Sequence, residues 1–287
     1  NGAPAIVEKF KAEGITPALV IDEGGAVVSD VFPGVKQNCA LIGIGEKGMT
    51  EIKFEVKGAG GHASAPPPHT AVGKLSAACV KVEDNPFKFH ISKPAAEMFD
   101  TLGRYSSFGL RLVFANMWLF GGLLDKMSRK KGGELNALMR TTVAFTQMSG
   151  SKGSNVLPPE ASMVANLRLV EGDTVQSVRD RIEKIVDDPD VKVISLHGMN
   201  PSRISSTDCE AWDKVRAAVA RTWTDALVSP YLMVACSDSR HYGPISDKVY
   251  RFSAMALSKT ERGLIHGNDE RVPLDTIRKT AAFYIRL

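Results

Sequence analysis

Three short stretches concentrate the side chains that could do chemistry. In Gly60-Gly61-His62-Ala63-Ser64-Ala65-Pro66-Pro67 a histidine stands between a glycine pair and a proline run. Glycine opens backbone conformations closed to other residues and proline fixes the residues after it, so the imidazole is held by a stiff, unusual turn. Imidazole is the side chain best suited to proton transfer or ligand contact near neutral pH. Taken alone, the same residues also describe a surface loop with an incidental histidine. Asp22-Glu23-Gly24-Gly25 comes after the apolar Leu19-Val20-Ile21. Acidic groups at the carboxyl end of a strand sit where α/β sheets build sites; a capped turn is the plainer alternative. His266, in Ile265-His266-Gly267-Asn268-Asp269-Glu270, precedes acidic neighbours that would orient the ring and raise its basicity. Between Ala235 and Tyr242 polar groups are dense, and Arg240 beside Asp238 could fork onto a carboxylate. Asn155 and Arg168 could do similar work, a surface ion pair being the alternative.

The elements that must position these groups can be read from periodicity. Residues 5–22 read as helix then strand, 38–45 and 51–57 as strands, the second with clean alternation, and 70–82 as a helix after the proline run. Strands are expected over 140–148 and 161–170, a helix over 174–186 capped by Asp173, and a strand over 191–196. With an irregular segment at 85–138 set aside, 51–197 has the element order of a ferredoxin-like α+β unit. Residues 207–287 return to helix and strand: helices at 208–222 and 273–286, strands near 229–235 and 248–253. The flanks therefore read as one α/β domain, 1–57 and 206–287, split in sequence by an inserted unit at 58–205. The run Leu112–Leu124 is shorter than the ~20 residues of a membrane span. A buried or partly buried helix is expected there, with a greasy substrate wall or an interfacial helix as alternatives.

Composition bounds the rest. The chain has 287 residues, 44% hydrophobic and 24% charged, enough for a sizeable core. Its net charge of +4 is scattered, so no nucleic-acid partner is expected. Cys39, Cys79, Cys209 and Cys236 stand far apart with no CxxC pair and read as free thiols, so nothing argues for a disulfide framework or a cysteine zinc site. No signal peptide is visible, and a soluble, cytoplasmic setting is the default expectation.

Six motifs in order extend the reading: Asp22-Glu23-Gly24-Gly25, Glu46-Lys47-Gly48, Gly61-His62-Ala63-Ser64-Ala65-Pro66-Pro67, Ser154-Asn155-Val156-Leu157-Pro158-Pro159 with Asn166-Leu167-Arg168, Ser237-Asp238-Ser239-Arg240-His241-Tyr242, and Ile265-His266-Gly267-Asn268-Asp269-Glu270. Together they resemble the co-catalytic zinc aminoacylase/carboxypeptidase family. The stretches Asn116–Phe120 and Asn136–Thr142 look like its Gly-Xaa carboxypeptidase and N-fatty-acyl-amino-acid synthase/hydrolase branch. The resemblance implies an α/β zinc-exopeptidase-like domain with an inserted lid that also dimerises. It implies Glu23 and His266 as zinc ligands, one on each of two metals, with Asp22 and Asp238 supporting. His62 would stabilise the oxyanion in the partner subunit's site, and Asn155, Arg168 and Arg240 would hold the substrate carboxylate and carbonyl. Two zincs would activate a bridging water and polarise the scissile amide.

The family also needs an upstream HxD histidine, a bridging aspartate and a Glu-Glu pair, and none is present; no histidine precedes His62. The expectation is therefore the C-terminal portion of a zinc-dependent amidohydrolase that cleaves N-acyl amino acids or small peptides next to a free carboxylate, inactive alone. The alternative is a truncated or degenerate homologue that only dimerises or binds ligand.

Overall fold

The computed structural model describes residues 2–287. In chain order the first elements are α1 (Gly2–Ala12), β1 (Val20–Val28), β2 (Cys39–Glu46), β3 (Gly48–Lys57), β4 (Gly61–His62) and α2 (Ala71–Asp84). Next come α3 (Lys93–Gly103), α4 (Phe108–Ala115), α5 (Met117–Lys131), α6 (Gly133–Leu138), β5 (Thr142–Ser149), β6 (Val156–Leu157) and β7 (Glu160–Leu169). The last are α7 (Val175–Val186), β8 (Val191–Met199), α8 (Glu210–Thr222), β9 (Leu227–Met233), a 3₁₀ turn at Asp238–Tyr242, β10 (Val249–Leu257), α9 (Lys259–Arg262) and α10 (Leu274–Arg286). The chain divides into two compact units.

The first unit takes the chain through Glu46, then Ile91–Lys131 and Ser202–Leu287. Its sheet runs β1-β10-β2-β9, with β1 parallel to β10 and β2 parallel to β9. β2 is buried along its whole length, as a near-continuous apolar strand in an α/β sheet should be. Ile42, Ile44, Val215, Val219, Tyr250, Phe252 and Phe283 fill the core between the sheet and α8 and α10. Burial of each such side chain contributes about 1.5–3 kcal/mol. β1 bulges against β10 at Gly25, where a Cβ would sit 1.8 Å from the Leu41 carbonyl oxygen.

The second unit is Lys47–His90 with Gly132–Pro201. Its four antiparallel strands lie in the order β5-β7-β3-β8, with α2 and α7 against the sheet. This is the ferredoxin-like unit. The alternation of β3 sends Ile52, Phe54 and Val56 into the core with Leu75, Val82, Leu167 and Ile182. The Thr70 hydroxyl accepts from the Gly73 amide at 3.1 Å and starts α2.

Four details differ from the sequence reading. The second unit begins at Lys47, because β3 pairs with β7 and β8 and with no strand of the first sheet. The helical segment 91–131, expected within the insert, packs with the first unit, where Phe99 and Phe114 stack at 5.6 Å and Phe32 lies 4.8 Å from Phe114. α7 is capped by Thr174 in a reciprocal box with Ser177, while Asp173 accepts from the Thr141 hydroxyl. The apolar run at 112–124 is not one buried helix: α4 and α5 meet at a bend of 110° with much of their outer surface exposed.

Candidate functional site

The first unit gathers two arginines and the turn at Ser237–Arg240 around one buried carboxylate. Glu46 ends β2 with 1% exposure, and Arg251, equally buried, reaches it from β10 with Nε at 3.0 Å. The Ser237 amide donates to the same carboxylate at 2.9 Å, and an Arg240 guanidinium nitrogen lies at 3.5 Å. Burial lowers the Arg251 pKa, and the Glu46 charge opposes that pull. The 3₁₀ turn that carries Asp238 and Arg240 is tied to β1 by the Ser239 amide, which donates to Asp22 Oδ2 at 2.8 Å. Arg240 is thus oriented by an internal acid, and Asp22 is a bracing residue for the turn.

Asp22 and Glu23 hydrogen-bond to each other through their carboxyl groups, and the pair splits in acidity. For Glu23 the bond to Asp22 comes first, burial second, and both raise its pKa, with the Asp238 charge adding to them. For Asp22 burial is the largest influence and pushes upward; bonds from Glu23, Ser239 and Ser237 outweigh it, and the pKa falls. Glu23 is exposed.

In the second unit Gly60 and Gly61 take left-handed φ values of 68° and 119°, which puts His62 on the two-residue strand β4 opposite Val156. The His62 ring is exposed, with Nδ1 2.8 Å from the Ser64 hydroxyl and 3.2 Å from the Ser64 amide that donates to it. That contact leaves Nε2 as the outward ring atom. The Ala63 amide donates to the Asn155 carbonyl at 2.9 Å, so His62 and Asn155 share one turn assembly. An open cavity of about 540 Å³ borders it, lined by His62, Pro66, His69 and Lys74 among others.

Arg168 is elsewhere in this unit. The Gly58 amide donates to the Pro159 carbonyl at the His62 end of β7, whereas Arg168 faces Met49 and Thr142 at the other end. At about 3.3 Å per residue, on the order of 30 Å of strand separates the two ends. Arg168 Nε donates to the Asn166 side chain at 3.2 Å. Near it, Lys47 is completely buried and donates to the Ala137 and Arg140 carbonyls, each at 2.8 Å. Burial, helped by the Arg168 charge, pulls the Lys47 pKa down to about 7.

Glu23 and His266, the two zinc ligands the resemblance implies, are not joined by further donors among the described residues. Among the described residues no three His, Cys, Asp or Glu side chains are grouped as a metal would require. Glu23 is bonded to Asp22 and feels the charge of Asp238, and His266 sits exposed in a turn with a left-handed φ of 60°. The described residues therefore hold an incomplete donor set for a two-metal centre.

Sequence reasoning passed over Arg251 and gave Glu46 only a motif role. The signal was present: an arginine inside the otherwise apolar Val249-Tyr250-Arg251-Phe252 needs an acid in the core, and Glu46 ends a wholly apolar strand.

Comparison with known proteins gives a consistent set. Residues 44–193 match the peptidase dimerisation domain of the M20 family. The chain is 35% identical over 290 residues to an N-fatty-acyl-amino acid synthase/hydrolase of Xenopus tropicalis, covering all of this chain and 56% of that protein. It is 33% identical to a probable carboxypeptidase S-like protein of Dictyostelium discoideum at the same coverage. It thus spans about half the length of these curated relatives. Among solved structures, an M20 family metallo-carboxypeptidase from Sulfolobus solfataricus superposes with a TM-score of 0.65 at 14% identity, covering 99% of this chain and 65% of that one. Human carnosine dipeptidase 1 gives 0.57 at 16% identity, covering 99% and 63%.

Proposed function

The chain belongs to the M20 metallopeptidase family, and from that premise we propose that it carries the substrate-holding and dimerising part of an amidohydrolase. That enzyme cleaves N-acyl amino acids or small peptides at an amide next to a free carboxylate. The observation that carries the reading is the His62 turn: a histidine held by two left-handed glycines, its outward nitrogen exposed, beside Asn155. A fixed donor of this kind stabilises the oxyanion that develops when a tetrahedral intermediate forms. By the resemblance, Asn155, Arg168 and Arg240 would hold the substrate carboxylate and carbonyl.

Zinc is the family's metal, two ions per active site by the resemblance. Glu23 and His266 are the donors this chain would bring to that centre, which needs further ligands from outside the described residues. The residues present here bind and orient substrate.

The separation of His62 from Arg168 divides their labour. In a homodimer His62 and Asn155 of one subunit would serve the partner's site, and Arg168 would serve its own. Mixed dimers of the full-length enzyme test this. His62→Ala alone should lower kcat about 100-fold or more. Mixing His62→Ala subunits with Arg168→Met subunits should restore turnover, because one site then has both residues. Mixing His62→Ala with Asn155→Ala should not. Equal rescue in both mixtures, or in neither, would overturn the division.

A second reading, a homologue that only dimerises or binds ligand, is favoured by the incomplete donor set. Zinc-supplemented hydrolysis of an N-acyl amino acid by the full-length protein separates the two: turnover supports the enzyme, and ligand binding without turnover supports the module. The 287-residue chain by itself is expected to show none.

A further inference from the structure

The helix pair α4–α5 stays apolar where it meets solvent. On α4, Phe108 and Leu112 are 82% and 51% exposed; on α5, Trp118, Leu119 and Leu123 are 83%, 61% and 50% exposed. The pair is nonetheless seated on its own unit, since Phe114 and Leu124 point inward and are buried. A helix that is apolar on all sides is ordinarily enclosed. Here the outer side is open.

The bend between the helices is built, not frayed. Asn116 closes α4 by donating from Nδ2 to the Leu112 carbonyl at 2.9 Å. Its own carbonyl then accepts from the Leu119 and Phe120 amides at 2.9 and 3.0 Å to open α5. The eight and fifteen residues of the two helices span about 12 and 22 Å. Neither reaches across a hydrocarbon layer of about 30 Å, and the 110° bend prevents them from doing so as one rod.

Charge identifies the occupant. Between residues 105 and 132 there are five basic side chains, Arg111, Lys126, Arg129, Lys130 and Lys131, and one acid, Asp125, which is bonded to Arg129. All five basic residues are exposed. An apolar first half with an exposed tryptophan and a basic final turn is the composition of a helix that lies in a membrane interface. There the rings sit at headgroup depth and the cations meet lipid phosphates. A second copy seated on this surface would bring two basic clusters together.

We infer that α4–α5 is a membrane-surface anchor that lays Phe108, Leu112, Trp118 and Leu119 into the headgroup region of an anionic leaflet. The contact is peripheral and reversible, with apolar insertion and phosphate attraction each supplying part of it.

The test uses full-length protein and flotation with vesicles of phosphatidylcholine, with and without phosphatidylserine. Binding should require phosphatidylserine and weaken as salt rises. Trp212 and Trp223 are buried at 7% and 4%, so within this chain a blue shift of emission, and quenching by brominated lipid, should come from Trp118 and vanish in Trp118→Phe. Trp118→Asp should weaken binding about tenfold or more while leaving the thermal melt unchanged. Lys130→Glu should reduce the preference for phosphatidylserine at least about fivefold. Absence of vesicle binding, or binding unchanged in Trp118→Asp, overturns the proposal. So does a Trp118 already shielded without vesicles, which would mean that another part of the protein covers it. A dimer that Trp118→Asp splits, with no lipid bound, overturns it in favour of a second copy.

Discussion

Glu46 and Lys47 are consecutive, oppositely charged and buried, yet they find their partners in different units. Glu46 is met by a guanidinium, a second arginine and a backbone amide of the first unit. Lys47 is met by two backbone carbonyls of the second. The chain passes from one unit to the other between them. Two ways of burying a charge therefore stand side by side. The carboxylate is matched by a full opposite charge. The ammonium is matched by dipoles that accept equally well from a neutral amine, and burial brings its pKa to about 7. An ion pair cannot lose one member without leaving the other stranded in the core, whereas an amine facing carbonyls can simply lose its proton.

The largest expected effect comes from the ion pair. Glu46→Ala should lower unfolding free energy by about 3–5 kcal/mol, because Arg251 would keep its charge with the acid gone. Arg251→Met should cost a similar amount. The double variant should recover much of the loss, since neither charge is then stranded. Urea unfolding of the four proteins closes the cycle. Single losses that simply add would break the comparison, for they would mean that Glu46 is held by the Ser237 amide and the Ser239 hydroxyl instead.

How much of this was legible in the sequence depended on the length of the signal. β3 announces itself by alternation, and its buried residues are the ones the alternation selects. The helix after the proline run begins at Thr70 for the reason its side chain suggests. β4 and β6 have two residues each, too few for any period, so the pairing that joins His62 to Asn155 could not be read. The division of the chain failed at a similar point. The sequence reading sets the whole strand through residue 57 with the first domain, and only the register of β3 with β7 and β8 assigns it to the second unit. Apolar composition at 112–124 indicates a buried or partly buried helix, and the run is partly buried but broken into two helices; hydrophobicity reports what a segment avoids, not where it bends or which surface covers it. Glu23 and His266 show the limit of motif order, which names donors without supplying the rest of a metal centre.

Lys47 supplies the smaller and sharper test. Its folded pKa, about 7, lies below its ordinary value of 10.5, so between those values the unfolded chain binds a proton that the folded chain lacks. Stability should therefore rise with pH across that window, and the penalty should be fully present below pH 7. Other groups oppose this at the alkaline end: burial raises the Cys39 thiol to about 11, which costs stability once the unfolded thiol ionises. The comparison that isolates the amine is Lys47→Met, which keeps the stem and removes the charge. At pH 6 the variant should lose little, because the two carbonyls it leaves unmet are offset by relief from a buried cation. By pH 9 wild type should have gained about 1–2 kcal/mol relative to the variant, read as a widening gap between their urea midpoints. A gap that stays constant would mean that Lys47 remains charged in the core, and its carbonyl cradle would then hold a cation as firmly as Arg251 holds Glu46.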